Sequence, residues 1–364
     1  MAIFPVDEKP GRPRGRGRRI GWILIGIAVV GAVAVGQIPS PYVVEQPGPV
    51  FNTLGTTKVA GKTVPVLSIS GAKTYPTSGA LDMLTVDIDG DPQNRLNWSQ
   101  IVAADLDPSQ AVTPIDEIYA PQETAEQSNK EGAEEMTQSQ QQATAAALFE
   151  QHIKFTSTVT VDSTKKGSPS AAVLRGGDVL RTVNGKTFVD SDQLHHLIVQ
   201  SGAGKPLTVV FTRKGVEHTA QMTPQATSAG PFLGVYLLES YSFPFPVKVQ
   251  LQDVGGPSAG MMFALGIIDK LTPGKLNGGK HVAGTGTISP YGLVGAIGGI
   301  RQKMYGAQRA GATYFLAPAS NCDEVRGHIP SSLTVFATST LHQSVTDLKA
   351  IASGTGVGKL KTCG

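Results

Sequence analysis

Cysteine, aromatic side chains and charge are all scarce in this chain of 364 residues, which has two cysteines, 6% aromatics and 16% charged residues. Two cysteines exclude a disulfide framework; Cys322 and Cys363 fit either one bridge in an oxidising compartment or two free thiols. No Gly-x-x-x-x-Gly-Lys-Ser/Thr phosphate loop occurs, since Gly202-Ala-Gly-Lys-Pro206 lacks both the spacing and the hydroxyl. ATP-driven work is therefore not encoded, and no cofactor or metal is expected. There is also no basic, aromatic-interleaved face of the kind that grips nucleic acid. The net charge of +3 is local: six cations stand against two acids in residues 1–19, leaving the remainder at −1.

The apolar content is 40%, enough for a sizeable core, and the length suggests two domains. Behind the basic tail (1–19), the run from Ile20 to Gly36 is uncharged and just spans a bilayer core with Gln37 and Ile38 at its edge. Residues 20–38 are expected to form one transmembrane helix. The arginines before it keep the N-terminus cytoplasmic and leave the rest of the chain extracytoplasmic at the cell membrane. Ala32-Val-Ala34 has the spacing of a signal-peptide cleavage site, but the run is longer than a usual signal core, which favours an uncleaved anchor.

Pro39-Ser-Pro41 and Gln46-Pro-Gly-Pro49 read as an extended exit with turns. Thr63–Ser70 and Met83–Ile88 are β-branched strands that suggest a hairpin or meander. Residues 97–120 read as mixed loop and short helix. Ala133–Glu150, rich in Glu, Gln and Ala without Gly or Pro, is a helix whose small face (Met136, Ser139, Ala143, Ala146, Ala147) can pack closely. A strand at Thr158–Asp162, a turn at Gly167-Ser-Pro-Ser-Ala-Ala172, a strand and Asn-Gly turn across Arg175–Lys186, a helix at Ser191–Gln200 and a hairpin at Arg213-Lys-Gly215 follow. These blocks, in this order, resemble a PDZ domain of the bacterial protease-associated kind. That resemblance implies capture of extended peptide ends at a sheet edge. Gly230-Pro-Phe-Leu-Gly-Val235 is either the carboxylate-binding loop or a returning strand, so Phe232, Leu233 and Gly234 are its candidate peptide contacts. A PDZ fold serving only as a spacer is the alternative.

Val247–Leu251 is a strand leading into Asp253-Val-Gly-Gly-Pro-Ser-Ala-Gly260, and Ser258–Ile268 is expected to be helical. A serine there is commonly a helix N-cap. Thr285–Ile288 reads as a strand, and Gly298-Gly-Ile-Arg-Gln-Lys303 opens a helix running to Ala310, followed by the strand Thr313–Ala317. Lys303 taken alone reads as a solvated lysine.

Together, Gly256-Pro-Ser-Ala-Gly260, Thr285-Gly286, Gly298–Lys303, the Arg309-Ala-Gly-Ala312 helix end and Pro318 resemble the proteolytic domain of the Lon family of Ser-Lys peptidases. Ser78–Ile88 and Met136–Phe149 resemble its early strands and helix. The implied arrangement is an α/β (α+β) fold, with a Lon-type domain split into 39–153 and 229–352, a PDZ domain at 154–228, and a flexible tail at 353–364. It is similar to the membrane-anchored, PDZ-containing Lon-like proteins of Gram-positive bacteria. The resemblance implies Ser258 as nucleophile, Lys303 as base and Thr285 as the residue orienting the lysine. The backbone N–H groups beside Gly256 and Ser258 would form an oxyanion hole. Lysine serves as a base only if burial lowers its pKa, and Met261, Met262, Ile297 and Ile300 are available to dry it. The family also implies a homo-hexamer acting on protein or peptide substrates. Gly255 departs from it, standing where many members carry an acid, as does a longer interval around 272–280. Two other functions fit parts of the pattern. Gly-x-Ser-x-Gly matches a hydrolase elbow, with Asp323 and His328 or His342 to complete an esterase triad; a non-enzymatic, anchored PDZ peptide-binding protein is the other.

Overall fold

The computed structural model describes residues 16–228, 230–252 and 254–364, and within 16–36 it leaves out the side chains of 16–20, 28, 29 and 32–34. Most of the basic tail and Asp253 thus lie outside the described residues. A helix, α1 (Arg16–Gly36), covers most of the predicted anchor but starts within the basic run. Among the described residues no helix is long and apolar enough to cross a membrane. The span expected over 20–38 is therefore not found as such.

The segment expected to be an extended exit is strand β1 (Tyr42–Asn52), which absorbs Pro47 and Pro49 at a register shift between Pro47 and Val50. A bulge leaves residues out of the ladder, and that is where proline is tolerated inside a sheet. β2 (Ala80–Asp89) pairs antiparallel with β1, whose other edge carries β3 (Ala111–Pro114). Thr63–Ser70 does not pair with β2 as a hairpin would. Its first half pairs with Thr56–Val59, and Leu67–Ile69 pairs with Val247–Val249 from the far side of the sequence. Helix α2 (Ala125–Glu150) begins two turns earlier than expected, set by a capping box in which Thr124 and Gln127 satisfy each other's backbone N–H.

The next elements form a separate sheet. β4 (Thr156–Thr164), β5 (Val179–Val183), helix α3 (Ser191–Ser201), β6 (Leu207–Arg213), β7 (Val216–Met222) and β8 (Val235–Ser242) give the strand order β7-β6-β5-β4-β8. Alternating Val159, Val161, Val183, Val209 and Phe211 with Leu194 and Ile198 of α3 make its core. This inserted domain ends at 242 rather than 228. Within Gly230–Gly234, Gly230–Phe232 is a short strand paired antiparallel with Gln225–Thr227, and the residues after Gly234 are the sheet's last strand.

The chain then returns to the first sheet through α4 (Gly260–Leu271), β9 (His281–Gly284), α5 (Ile300–Arg309), β10 (Tyr314–Pro318), β11 (Thr334–Thr338) and α6 (Leu341–Ser353). β9 lies parallel to both β2 and β10, completing the order β11-β10-β9-β2-β1-β3. One face of this mixed sheet packs on α4, which is backed by α2 and α6; the other packs on α5. The tail expected to be flexible is docked: Thr362 bridges Phe336, Cys363 is 3% exposed, and a Cys322–Cys363 disulfide closes a separation of 41 residues. Closing a loop of that length contributes about 4 kcal/mol by unfolded-state entropy.

Candidate active site

Two helices on opposite faces of the main sheet bring the site together, and the end of β9 lies between them. The nucleophile loop precedes α4 on one face and Lys303 sits in the first turn of α5 on the other. They meet beyond the carboxyl end of β9, where Thr285 follows Gly284. Lys303 Nζ lies 2.8 Å from Ser258 Oγ and 3.4 Å from Thr285 Oγ1. The Thr285 hydroxyl donates to the Ser258 carbonyl at 2.9 Å, and the Gly286 N–H donates to the same oxygen at 2.8 Å. The three predicted residues are therefore mutual neighbours although 45 positions separate the first from the last.

Ser258 is not a helix cap. α4 starts at Gly260, its N-cap is Ala259, and no side chain caps it. Lys303 is not solvated either: it is 3% exposed, and burial lowers its pKa to about 8, opposed in part by the Glu45 carboxylate. Among the described residues no carboxylate forms an ion pair with it. Met261, Met262 and Ile300 are fully buried around this region and Ile297 is partly so, as their apolarity requires. A neutral amine next to a serine hydroxyl has the lone pair needed to accept its proton.

Helix α2 supports the loop in a way the sequence did not disclose. The Ser139 hydroxyl, 1% exposed, donates to the Pro257 carbonyl at 3.0 Å. Two turns earlier, the Gly132 carbonyl accepts the Gly256 N–H at 2.8 Å. The Gly256 amide, expected in the oxyanion hole, is thus directed at α2, which leaves Ser258 as the one of the two whose amide is not taken up this way. The departure at Gly255 has the same origin. A Cβ there would lie 3.2 Å from the Gly132 carbonyl carbon, so any side chain at 255 is crowded against the backbone of α2 and needs the loop or the helix to give by a few tenths of an ångström. Gly260 is equally confined, since a Cβ would come within 2.7 Å of Ile288 Cγ2. The only trace of the Ser139 contact in sequence is one hydroxyl on an otherwise Ala and Met face.

The esterase candidates lie elsewhere. The Asp323 side chain is 94% exposed and pairs with Arg326, His328 contacts the Arg326 carbonyl, and His342 pairs with Glu150 at 2.8 Å. None of them contacts Ser258.

In the inserted domain, Phe232, Leu233 and Gly234 line a cavity of about 240 Å³ together with Leu194, His195 and Ile198 of α3. β8 begins in this groove. It pairs with β4 along one edge, and among the described residues no strand pairs with the other. Residues 230–235, left open between loop and strand, line the groove as a short strand, Gly230–Phe232, paired with Gln225–Thr227, and then run into the edge strand.

Residues 252–351 match the Lon protease (S16) C-terminal proteolytic domain, and residues 126–223 match the PDZ domain family. The PDZ match includes most of α2, which packs instead on the main domain, and stops short of β8. Lon protease 2 of Herpetosiphon aurantiacus is 42% identical over 85 residues, covering 22% of this chain and 10% of that protein. Lon protease of Roseiflexus castenholzii is 44% identical over 71 residues, covering 20% of this chain and 9% of that protein. The chain thus spans about a tenth of the length of the curated relatives it matches. Among solved structures, the PDZ domain of the SdrC-like protein from Listeria monocytogenes aligns at 24% identity and a TM-score of 0.21, covering 22% of this chain and 86% of that one.

Proposed function

We propose that this protein is a serine endopeptidase that works without ATP through a Ser258–Lys303 dyad, on polypeptide that is already unfolded or is presented by the inserted domain. The observation that carries this is the buried amine of Lys303, 2.8 Å from the Ser258 hydroxyl and free of any carboxylate ion pair among the described residues.

Neutral Lys303 takes the Ser258 proton as Oγ attacks the scissile carbonyl. Thr285, hydrogen-bonded to both the lysine and the Ser258 carbonyl, keeps the amine lone pair aimed at Oγ. The tetrahedral oxyanion is stabilised by backbone N–H groups of the nucleophile loop, with the Ser258 amide as the first candidate, since the Gly256 amide donates to Gly132. Lysinium then protonates the leaving amine, and water, activated by the regenerated base, hydrolyses the acyl-enzyme.

Because the lysine must be neutral, kcat/KM rises with pH to a plateau with its midpoint near 8. The test is hydrolysis of an unfolded protein by the full chain in detergent, comparing wild type, Ser258→Ala and Lys303→Ala. Equal activity in all three removes the dyad.

Residues 20–38 tether the protein to the cell membrane with the catalytic part outside. Support comes from the uncharged run behind an arginine-rich tail and from Trp22, Ile23, Leu24 and Ile27, each more than 60% exposed on α1. The Cys322–Cys363 bridge fits an oxidising compartment. Homo-hexamer formation is the assembly that the Lon similarity suggests, and light scattering of the purified chain tests it.

A further inference from the structure

A large concavity lies where the inserted domain joins the main one. It has a volume of about 870 Å³, with Phe149, Phe155, Phe188, Phe243 and Tyr291 among its walls. The mechanism above uses none of these residues. Phe149 and Val189 stay 47% and 45% exposed, an unusual cost for apolar side chains that points to a ligand surface. The wall is fixed by mutual packing: Phe149 meets Tyr291 edge-on at 5.0 Å, and Phe155 lies 5.8 Å from Phe243.

The position of this cavity is informative. On one side, Val189 in its wall is two residues from Ser191, which lines the groove beside α3. Ser242, the last residue of the open-edged strand β8, also lines the cavity. A peptide whose carboxyl end occupies the loop at Gly230–Gly234 and which pairs with β8 antiparallel therefore points its upstream residues into the cavity. On the other side, Phe243 is shared with a second groove of about 350 Å³ between α2 and residues 247–250. Within that stretch, Gln250 donates to Val66 and Pro246 accepts from Ser70, so by alternation Val247 and Val249 turn their backbone groups to the open edge. Their strand leads directly into the nucleophile loop. Three concavities thus follow one another from the α3 groove to the approach to Ser258.

We propose that the cavity is a side-chain subsite for a large apolar residue, aromatic or long aliphatic, of a single extended polypeptide. Its carboxyl end sits in the α3 groove, and its upstream part continues along Val247–Val249 toward Ser258. This rests on the peptidase reading and adds to it a substrate class: proteins with an extended C-terminal tail carrying an apolar residue at a set distance from the end. β8 offers eight residues for pairing. At one peptide residue per strand residue, the subsite takes the side chain about nine to eleven positions from the carboxyl terminus.

The test uses the full chain and a series of peptides of about 25 residues in which a benzophenone side chain is moved one position at a time. With Ser258→Ala protein, the expected result is cross-linking to residues 149–157, 188–189 or 242–244 only when the probe stands about nine to eleven positions from the end, and roughly tenfold weaker labelling when the terminus is amidated. In otherwise wild-type protein, Val189→Trp fills the cavity at an exposed position and raises KM for the apolar-bearing peptide about tenfold at unchanged kcat. Labelling of the cavity that is absent or indifferent to probe position, or a KM shift below about twofold, overturns the proposal. If cross-linking is position-dependent but the wild-type chain hydrolyses nothing, the peptidase reading fails and the binding track stands. If hydrolysis is normal and cross-linking is not position-dependent, the track alone fails.

Discussion

Each of the two domains buries a charged side chain against a polar partner, with opposite results. In the inserted domain Asp178 is 1% exposed and receives a bidentate fork from Arg213, Nε at 2.7 Å and Nη2 at 2.6 Å. Burial pushes the Asp178 carboxyl up, but the Arg213 hydrogen bonds, the Arg175 backbone N–H and the charges of both arginines together outweigh it and hold the group below the usual carboxylate range. In the main domain Lys303 is buried to the same degree with only hydroxyls for partners, and its pKa falls to about 8. Burial with a complementary charge fixes a charge state and a loop, whereas burial without one makes a group that changes state near neutral pH. The first arrangement serves structure and the second chemistry.

The comparison breaks most visibly at the lysine. Lys303→Met should cost about 10⁴-fold or more in kcat/KM, as Ser258→Ala does, because neither half of a nucleophile–base pair works alone. The same variant should be more stable than wild type at pH 7. A lysine whose folded pKa lies below its unfolded value binds fewer protons when folded between about 8 and 10.4, so stability rises with pH across that window and the buried cation is a burden below it. Removing it recovers up to about 3 kcal/mol, read from urea midpoints at pH 7 and at pH 10; an equal difference at both values contradicts the assignment.

Arg213→Met tests the other side. It leaves Asp178 buried without its partner and should destabilise the inserted domain by about 3–5 kcal/mol, seen as earlier proteolytic cleavage within 156–242. Asp347 sharpens the contrast, because it is a carboxylate 4% exposed whose Oδ2 has no hydrogen-bond partner, and burial pushes it up to about 6. Its folded pKa exceeds the unfolded one, so stability is lost as pH rises from about 4 through 6 and stays low above that. Asp347→Asn should therefore raise stability at pH 8 by about 2 kcal/mol and change little at pH 4, measured by thermal melts at both. The smallest effect is expected at Ser139→Ala, which frees the Pro257 carbonyl. It should lower kcat about threefold to tenfold with KM nearly unchanged, and Ser139→Cys should recover part of the loss.

The same contrast explains how far the site was legible beforehand. Gly256-Pro-Ser-Ala-Gly260 and Gly298–Lys303 could be picked out because glycines and a proline at fixed spacing mark where backbones must turn or approach closely. α2 was visible in its second half, where Ala and Gln dominate, but its start was hidden because Gly132 interrupts the helical composition. Pro47-Gly48-Pro49 signals a turn in the sequence, while in the fold it is a bulge in β1 opposite β2 alone, since β3 pairs only with Tyr42–Glu45. The arrangement implied by the resemblance makes 353–364 a flexible tail; Cys363 and the β11 edge are what dock it. Gly230–Gly234 could not be assigned because a short glycine-bounded segment carries no period of its own.

What the sequence determined by itself was the set of chemical parts. These are a serine in a glycine-flanked loop ahead of one helix, a lysine in the first turn of another, a threonine at a strand end, two cysteines, an apolar run behind arginines, and a second domain inserted between the halves of the first. Only the tertiary structure decided that the serine and lysine approach from opposite faces of one sheet and meet beyond β9. It also decided that Lys303 is dry, that the Gly256 amide points at Gly132, and that an aromatic cavity opens where the domains join. A pKa and a hydrogen bond depend on which residues surround a group in space, and those neighbours come from segments up to hundreds of positions apart, joined by a core that no local pattern records.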